Sequence, residues 1–478
     1  MYIYKAKDIR EADASAEANG LDTVTLMENA GRALYDALSP RIDKTKRILI
    51  LSGSGNNGGD GIVLARYLKR NGYEADLVFP LGEAKTDTAK AHFHYFRNNG
   101  FETAQAQGRY DVIVDALFGV GTRLPLPDQV TGWIDWANKQ EAYKIAVDIP
   151  TGVLADSGDI EKAFRADLTL SLHGYKPSAF LEGSADFYGE TLALDIGLPH
   201  TSSWKVWNAS DVRSAMVSRK GNAHKGTFGT GLLIAGSDEM PGSCMLASLA
   251  CMRSGIGKLT VATSKYAAGI IASRVPECTY SFDVLDQLAE GLHPLGVKAV
   301  AIGPGLTDRD KVEKAVDTLF SGDVPVILDA GALHKRKYPD REAVVIVTPH
   351  PGEFSRMTGA STGKIQKNRL QAAADFAKEH NAITVLKGRN TVIAHPDGRL
   401  AVNPTGNPAL AKGGTGDTLT GMILGFICQQ TDSFAAVANA VFLHGACADR
   451  WTETNSAASM TASDLTGLLP VVMKEYEE

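Results

Sequence analysis

Apolar residues fall along this chain in short unbroken runs, not in strict alternation with polar ones. The first half carries RILILSG (47–53), ADLVFP (75–80), YDVIVDALFG (110–119), KIAVDIPTG (144–152) and LTLSLHG (168–174). The second half carries TGLLIAGS (230–237), GKLTVAT (257–263), AVAIGPG (299–305), VPVILDAG (324–331), VVIVTPH (344–350) and ITVLKG (383–388). Amphipathic segments such as DGIVLARYLKRNG (60–72) and RLQAAADFAKEHN (369–381) stand between them. Runs that are apolar throughout describe strands buried on both faces, and their alternation with helices describes parallel sheets. Both halves are therefore expected to be doubly wound α/β sheets. The segment GLPHTSSWKVWNASDV (197–212) has turn residues and no apolar period, so the boundary is expected near 200–215.

A length of 478 residues agrees with two or three domains. The 49 basic and 55 acidic residues leave a net charge of -6, with no basic block. Nothing there suggests nucleic acid. The N-terminus MYIYKAKDIREAD has no apolar signal core. The longest apolar stretch, FAAVANAVFLHGACA, is broken by Asn439 and His444 and is too short for a membrane. A soluble cytoplasmic protein is expected. The five cysteines, all in the second half, form no CxxC and are expected to be buried free thiols. In HFH (92–94) the two histidines do not share a helix face, which argues against a metal pair.

Ligands of open parallel sheets bind at the carboxyl ends of the strands. Asp115, Asp148, Asp329, His350 and Lys387 all stand at such ends. The first strand runs into SGNNGGDG, where Gly53, Gly55 and Gly58 have the spacing G-x-G-x-x-G. Glycine and asparagine accept positive φ, and a helix expected from about Gly61 adds its positive end, which suits a phosphate. A dinucleotide fingerprint also needs an acid closing the second strand, and LVFPLG has none before Glu83. A dehydrogenase is thereby disfavoured.

Together with LMENAGRAL (26–34), DALFGVGTRLP (115–125) and DIPTG (148–152), NNGGDG resembles the NAD(P)H-hydrate epimerase family over about residues 1–205. The resemblance implies a Rossmann-like domain that binds a hydrated nicotinamide nucleotide. It implies that Asn56, Asn57, Gly58, Gly59 and Asp60 contact the hydrate. Gly119, Val120, Gly121, Thr122, Arg123, Leu124 and Pro125 would do the same. Asp148 would face the reacting ring as acid or base. Asn57, Asp115 and Thr151 would ligate potassium, with threonine standing where that family often has serine.

In the second half, NPTGNPALAKGGTGDTLTG (403–421) runs glycines and Asp417 straight into an apolar helix. Such a segment presents N–H groups to an anion beside a carboxylate. No Walker motif is present. With TPHPGEF (348–354), GPGL (303–306) and KGRNT (387–391), the segment resembles the ribokinase-like ADP/ATP-dependent NAD(P)H-hydrate dehydratase family over about 215–478. By that resemblance Ser243, Gly305, His350 and Asp417 line the hydrate site. Lys387, Gly388, Arg389, Asn390, Thr391 and Gly416 hold ADP or ATP, taken with magnesium. Ser243 stands where relatives usually have alanine, and Ala409 where they have glycine. The implied activity is repair of hydrated NADH and NADPH, by epimerisation and by nucleotide-driven dehydration of the S form. A small-molecule kinase fused to a nucleotide-binding module is the alternative. A partner-binding first half without chemistry is a third. Apolar faces on both halves permit a homo-oligomer, and no heptad pattern specifies one.

Overall fold

The computed structural model describes residues 1–477, which divide into two compact units, Met1–Ser203 and the chain from Trp204 onward. Trp204–Val206 is a strand and Ala209–Ala215 a helix of the second unit, so much of the expected 200–215 boundary segment is structured. Val206 pairs with Val402, and Asn439, buried in the helix Ser433–Thr452, accepts the Trp207 indole N–H at 2.9 Å. The polar residue that interrupts the apolar run thus fastens the segment to the second core.

The first unit has six parallel strands: β1 (Arg47–Ser52), β2 (Glu74–Val78), β3 (Val112–Ala116), β4 (Tyr143–Val147), β5 (Leu168–Leu172) and β6 (Glu190–Leu194). Their order is β2-β1-β3-β4-β5-β6. The chain leaves β1 toward one edge and returns to β3 on its other side, so the switch point lies between β1 and β3. That places the loops after β1 and β3 side by side. A Cβ on Gly53 would stand 1.9 Å from the Leu117 carbonyl oxygen. Only glycine permits this approach.

The second unit has ten strands: β7 (Trp204–Val206), β8 (Thr230–Ile234), β9 (Lys258–Ala262), β10 (Thr279–Ser281), β11 (Ala299–Ile302), β12 (Val326–Leu328), β13 (Val345–Val347), β14 (Ala382–Leu386), β15 (Val392–Ala394) and β16 (Leu400–Val402). The order is β10-β9-β8-β11-β12-β13-β14-β15-β16-β7, and only β15 runs antiparallel to its neighbours. Its switch point lies between β8 and β11, where GPGL leaves β11. The helix Thr415–Ile427 packs on the helix Pro241–Arg253 so closely that a Cβ on Gly421 would meet the Ala247 carbonyl oxygen at 2.0 Å.

All five cysteines are free and buried, and burial pushes four of the thiols up to about 12. They are packing groups. Among the described residues no helix is long and apolar enough to cross a membrane.

Candidate active sites

The switch point of the first sheet opens into a cavity of about 490 Å³. Asn56, Asn57, Asp60, Gly119, Val120, Gly121 and Asp148 line it. The helix behind NNGGDG begins at Asn56, not near Gly61, because Gly55 accepts the first helical bond from Gly59 N–H. The two asparagines are thus the first helical residues, and their own N–H groups carry no helical bond. Gly58 and Gly59 do not line the cavity. Side chains there would strike the Gly53 carbonyl oxygen at 1.8 Å and Met27 Sδ at 2.4 Å, so these glycines let the helix close on its neighbours. Thr122, Arg123, Leu124 and Pro125 also lie off the lining. Thr122 Oγ1 closes a turn onto Gly119 O at 2.8 Å, and the chain then runs into the core at Leu126.

Asp148 adopts φ 68° at the end of β4, a left-handed backbone uncommon for aspartate. Lys176, 1% exposed, donates to Asp148 Oδ1 and also to Leu172 O at 2.9 Å and Gly174 O at 3.0 Å. Leu172 N–H donates to the same carboxylate oxygen at 3.1 Å. Asp148 Oδ2 points the other way, 3.2 Å from where a Cβ on Gly119 would be, and Asn57 Oδ1 is 3.0 Å from that point. Sequence reading missed Lys176. No strand-end position marks it, because it stands four residues past the end of β5, whereas Asp148 directly follows β4. Asp13, on the helix Ala6–Ala18, and His173 were also missed and also line the cavity. Burial pushes Asp60 well above the usual carboxylate range, raises Asp13, and holds His173 at about 4.

Asp115 and Thr151 meet directly. Thr151 donates its hydroxyl to Asp115 Oδ1 at 2.7 Å and its N–H to Oδ2 at 2.8 Å. Phe118 N–H donates to Thr151 Oγ1 at 3.0 Å. Burial raises Asp115 to about 6 against these bonds. Asn57 Nδ2 is buried without a partner, which leaves that amide short of a contact. The carboxylate and hydroxyl oxygens of Asp115 and Thr151 are hard donors of the kind an alkali cation takes, and Asn57 lies on the cavity lining, which those two residues do not join.

In the second unit Asp417 lies in the first turn of the helix Thr415–Ile427, after Gly414 with φ 90°. Burial raises its carboxyl to about 6, opposed by a hydrogen bond from Ser243. Ser243 Cβ lies 3.0 Å from where a Cβ on Gly305 would be, and Lys387 Nζ 3.4 Å from that position on Gly416. Four of the expected residues thus converge on Asp417. Lys387 Nζ bonds Asp329 Oδ1 at 3.1 Å and lies 3.9 Å from Glu353 Oε2. Burial works against its charge, yet Asp329 and Glu353 hold the ammonium above the ordinary lysine range. Asp329 also accepts from Thr348 and Thr420, each at 2.7 Å, which fixes three strand ends and a helix on one carboxylate.

His350 caps the helix Pro351–Thr358. Its Nδ1 accepts from Gly352 N–H at 3.0 Å and Glu353 N–H at 3.3 Å, and its side chain stays half exposed. The loop Gly388–Thr391 is held by Arg369, 1% exposed, which donates to Leu386 O at 2.9 Å, Lys387 O at 3.1 Å and Arg389 O at 2.5 Å. Gly388 has φ 146°, and a Cβ there would press on that guanidinium at 2.9 Å. His444, held neutral by burial at about 4, bonds Thr415 O at 2.9 Å beneath the glycine turn. Arg369 and His444 lie tens of residues from the loops they hold, so no local pattern marked them.

Two family models match this chain. One, described as NAD(P)H-hydrate dehydratase, covers residues 231–470, and one, described as YjeF-related protein N-terminus, covers residues 23–178. A bifunctional NAD(P)H-hydrate repair enzyme of Moorella thermoacetica is 33% identical over 100% of this chain and 98% of its own. The ADP-dependent (S)-NAD(P)H-hydrate dehydratase of Bacillus subtilis is 52% identical over 57% of this chain and 98% of its own. A crystal structure of the ADP/ATP-dependent Bacillus subtilis dehydratase, grown with ATP and magnesium, matches with TM-score 0.56 and 51% identity over 57% of this chain and 99% of that one. A ribokinase-like protein of Enterococcus faecalis matches the same share of the fold with TM-score 0.51, at 25% identity over 58% of this chain and 98% of its own. The fold and its two acid sites define a fused enzyme, Rossmann-like in its first unit and ribokinase-like in its second. The chain belongs to the bifunctional NAD(P)H-hydrate repair enzymes.

Proposed function

We propose that the first unit interconverts the R and S hydrates of NADH and NADPH, and that the second dehydrates the S form at the expense of ADP or ATP. The observation that carries this is an aspartate held in place at each site, Asp148 and Asp417, each fixed by its own partners and each beside a glycine-lined helix start.

In the first site the N–H groups at Asn56 and Asn57 take the substrate's phosphates. Asp60 and Gly119–Gly121 cover the rest. Asp148 Oδ2 takes the proton of the ring hydroxyl, while Lys176 keeps Oδ1 engaged. Asn57, Asp115 and Thr151 would hold potassium, which supplies positive charge near the substrate.

In the second site the nucleotide lies on Lys387–Thr391 and Gly416, and its magnesium complex neutralises phosphate charge. His350 and Gly305 hold the hydrate. Ser243 orients Asp417, which accepts the hydroxyl proton as oxygen attacks the terminal phosphorus. The Gly413–Gly416 amides stabilise the transferring group. Phosphate then leaves with the carbon–oxygen electron pair, the ring nitrogen lone pair fills the gap, and loss of the neighbouring ring proton restores the double bond. ADP is the proposed donor. The working form is a cytoplasmic homo-oligomer.

The test is conversion of mixed-epimer NADH hydrate, followed by reduced-nicotinamide absorbance, with magnesium, potassium and ADP, ATP or neither. Complete conversion only with a nucleotide is expected, and it names the donor. A plateau at the fraction of one epimer removes the epimerase reading. No conversion removes both.

A further inference from the structure

The epimerisation proposed above needs a second proton carrier. The hydroxyl-bearing ring carbon is also bonded to the ring nitrogen. When a base removes the hydroxyl proton and the carbon–nitrogen bond breaks, the nitrogen must receive a proton as an aldehyde forms. After rotation of the aldehyde, the N–H adds to its other face and both protons return. One carboxylate cannot serve oxygen and nitrogen at once.

We propose that Asp13 is that carrier: it protonates the ring nitrogen as Asp148 takes the hydroxyl proton, and takes the proton back on closure. Asp13 and Asp148 line the same cavity from different elements, the helix Ala6–Ala18 and the end of β4. That helix is pinned at its start, where Ala6 N–H donates to Asp156 Oδ1 at 2.8 Å. Its Arg10 lines the cavity with Asp13, one turn away. The other titratable groups on the lining are Asp60 from the helix Asn56–Arg70, and His173 and Lys176 after β5.

The environments of the two aspartates differ in kind. Asp148 has a lysine and a backbone N–H on one oxygen, which leaves Oδ2 as the oxygen facing the cavity side of Gly119. No hydrogen bond lowers the Asp13 carboxyl. Burial raises it first, the charge of Asp148 adds, and Lys176 opposes. A carboxyl raised by burial is suited to act as the acid beside the aspartate that takes the hydroxyl proton. Asp60 is raised too and lines the same cavity, but it sits on the helix whose start takes the phosphates, whereas Asp13 stands on a separate helix and remains partly open. The family model for the first unit begins at residue 23, beyond Asp13.

The inference rests on the epimerase reading, and its test separates the two. Pure R hydrate is given to the full chain without nucleotide, and formation of S is followed against pH after subtraction of the enzyme-free rate. The variants are D13N, D13E and D60N. D13N is expected to lower kcat by about 10² to 10⁴, with KM within about threefold. The wild-type rate falls on the alkaline side as Asp13 loses its proton. D13N lacks that limb and D13E restores it, which a merely structural role would not do. Thermal unfolding of each variant checks the first unit. D13N with kcat within about threefold of wild type overturns the inference, as does a rise in KM alone. Loss of the alkaline limb in D60N but not D13N moves the role to Asp60 and also overturns it. A wild type without epimerisation removes the parent reading itself.

Discussion

At the scale of single residues, the hydrogen bond between Ser243 and Asp417 makes a measurable prediction. Asp417 must be ionised to accept a proton, and burial raises its carboxyl to about 6. Dehydration is expected to fall as pH drops through that value, about tenfold per unit well below it. Ser243 lowers the carboxyl, so S243A raises it further and shifts the acid limb of kcat upward. An unmoved limb would take Asp417 out of the base role. Thr151 offers a stability counterpart. T151V removes the hydroxyl from a buried carboxylate and is expected to cost about 1–3 kcal/mol in chemical denaturation of the first unit. T151S is expected to recover most of it. The residues that bear chemistry at strand ends were legible because an aspartate or lysine closing an apolar run is visible in one line of sequence. Lys176 and Asp13 were not, because each acquires its role only where separate elements meet around Asp148.

At the scale of elements, strands inside long apolar runs were legible and strands outside them were not. Each of the eleven apolar runs noted in the sequence holds all or all but the first residue of a strand, β1–β5, β8, β9 or β11–β14. What escaped was β6, half-buried at a sheet edge, and the three-residue strands β7, β10, β15 and β16, which polar or turn residues bracket closely, whereas β12 and β13 of the same length lie inside longer apolar runs. The start of the helix Asn56–Arg70 was placed late because NNGGD has the composition of a loop. The bond from Gly59 N–H to Gly55 O makes it the first turn. Glycines inside helices carry a related message. Gly421 sets the distance between the helix bearing Asp417 and the helix bearing Ser243. A methyl group there must push the two apart, since its obstacle is backbone. G421A is expected to destabilise the second unit by about 1–3 kcal/mol and to lower dehydration more than the stability loss accounts for. Full dehydratase activity at a temperature where G421A remains folded would show that the site tolerates this displacement.

At the scale of the whole molecule, two sheets with separate switch points each carry an acid site, Asp148 in the first unit and Asp417 in the second. The joint chemistry then depends only on passing the hydrate between sites. D148N is expected to abolish epimerisation and leave dehydration of the S hydrate unchanged, while D417A does the reverse. The decisive measurement mixes the two variants with mixed-epimer hydrate and nucleotide. Each alone is limited, D148N by the supply of S hydrate and D417A by the lack of dehydration. If the hydrate travels through solvent, the mixture restores complete conversion at a rate proportional to the concentration of each variant. If it must be handed over within one chain, the mixture stops where D148N alone stops. Free exchange is expected here. The first site is a cavity formed entirely by residues of the first unit, and the hydrate is a dissolved nucleotide that each unit binds with its own helix starts and loops.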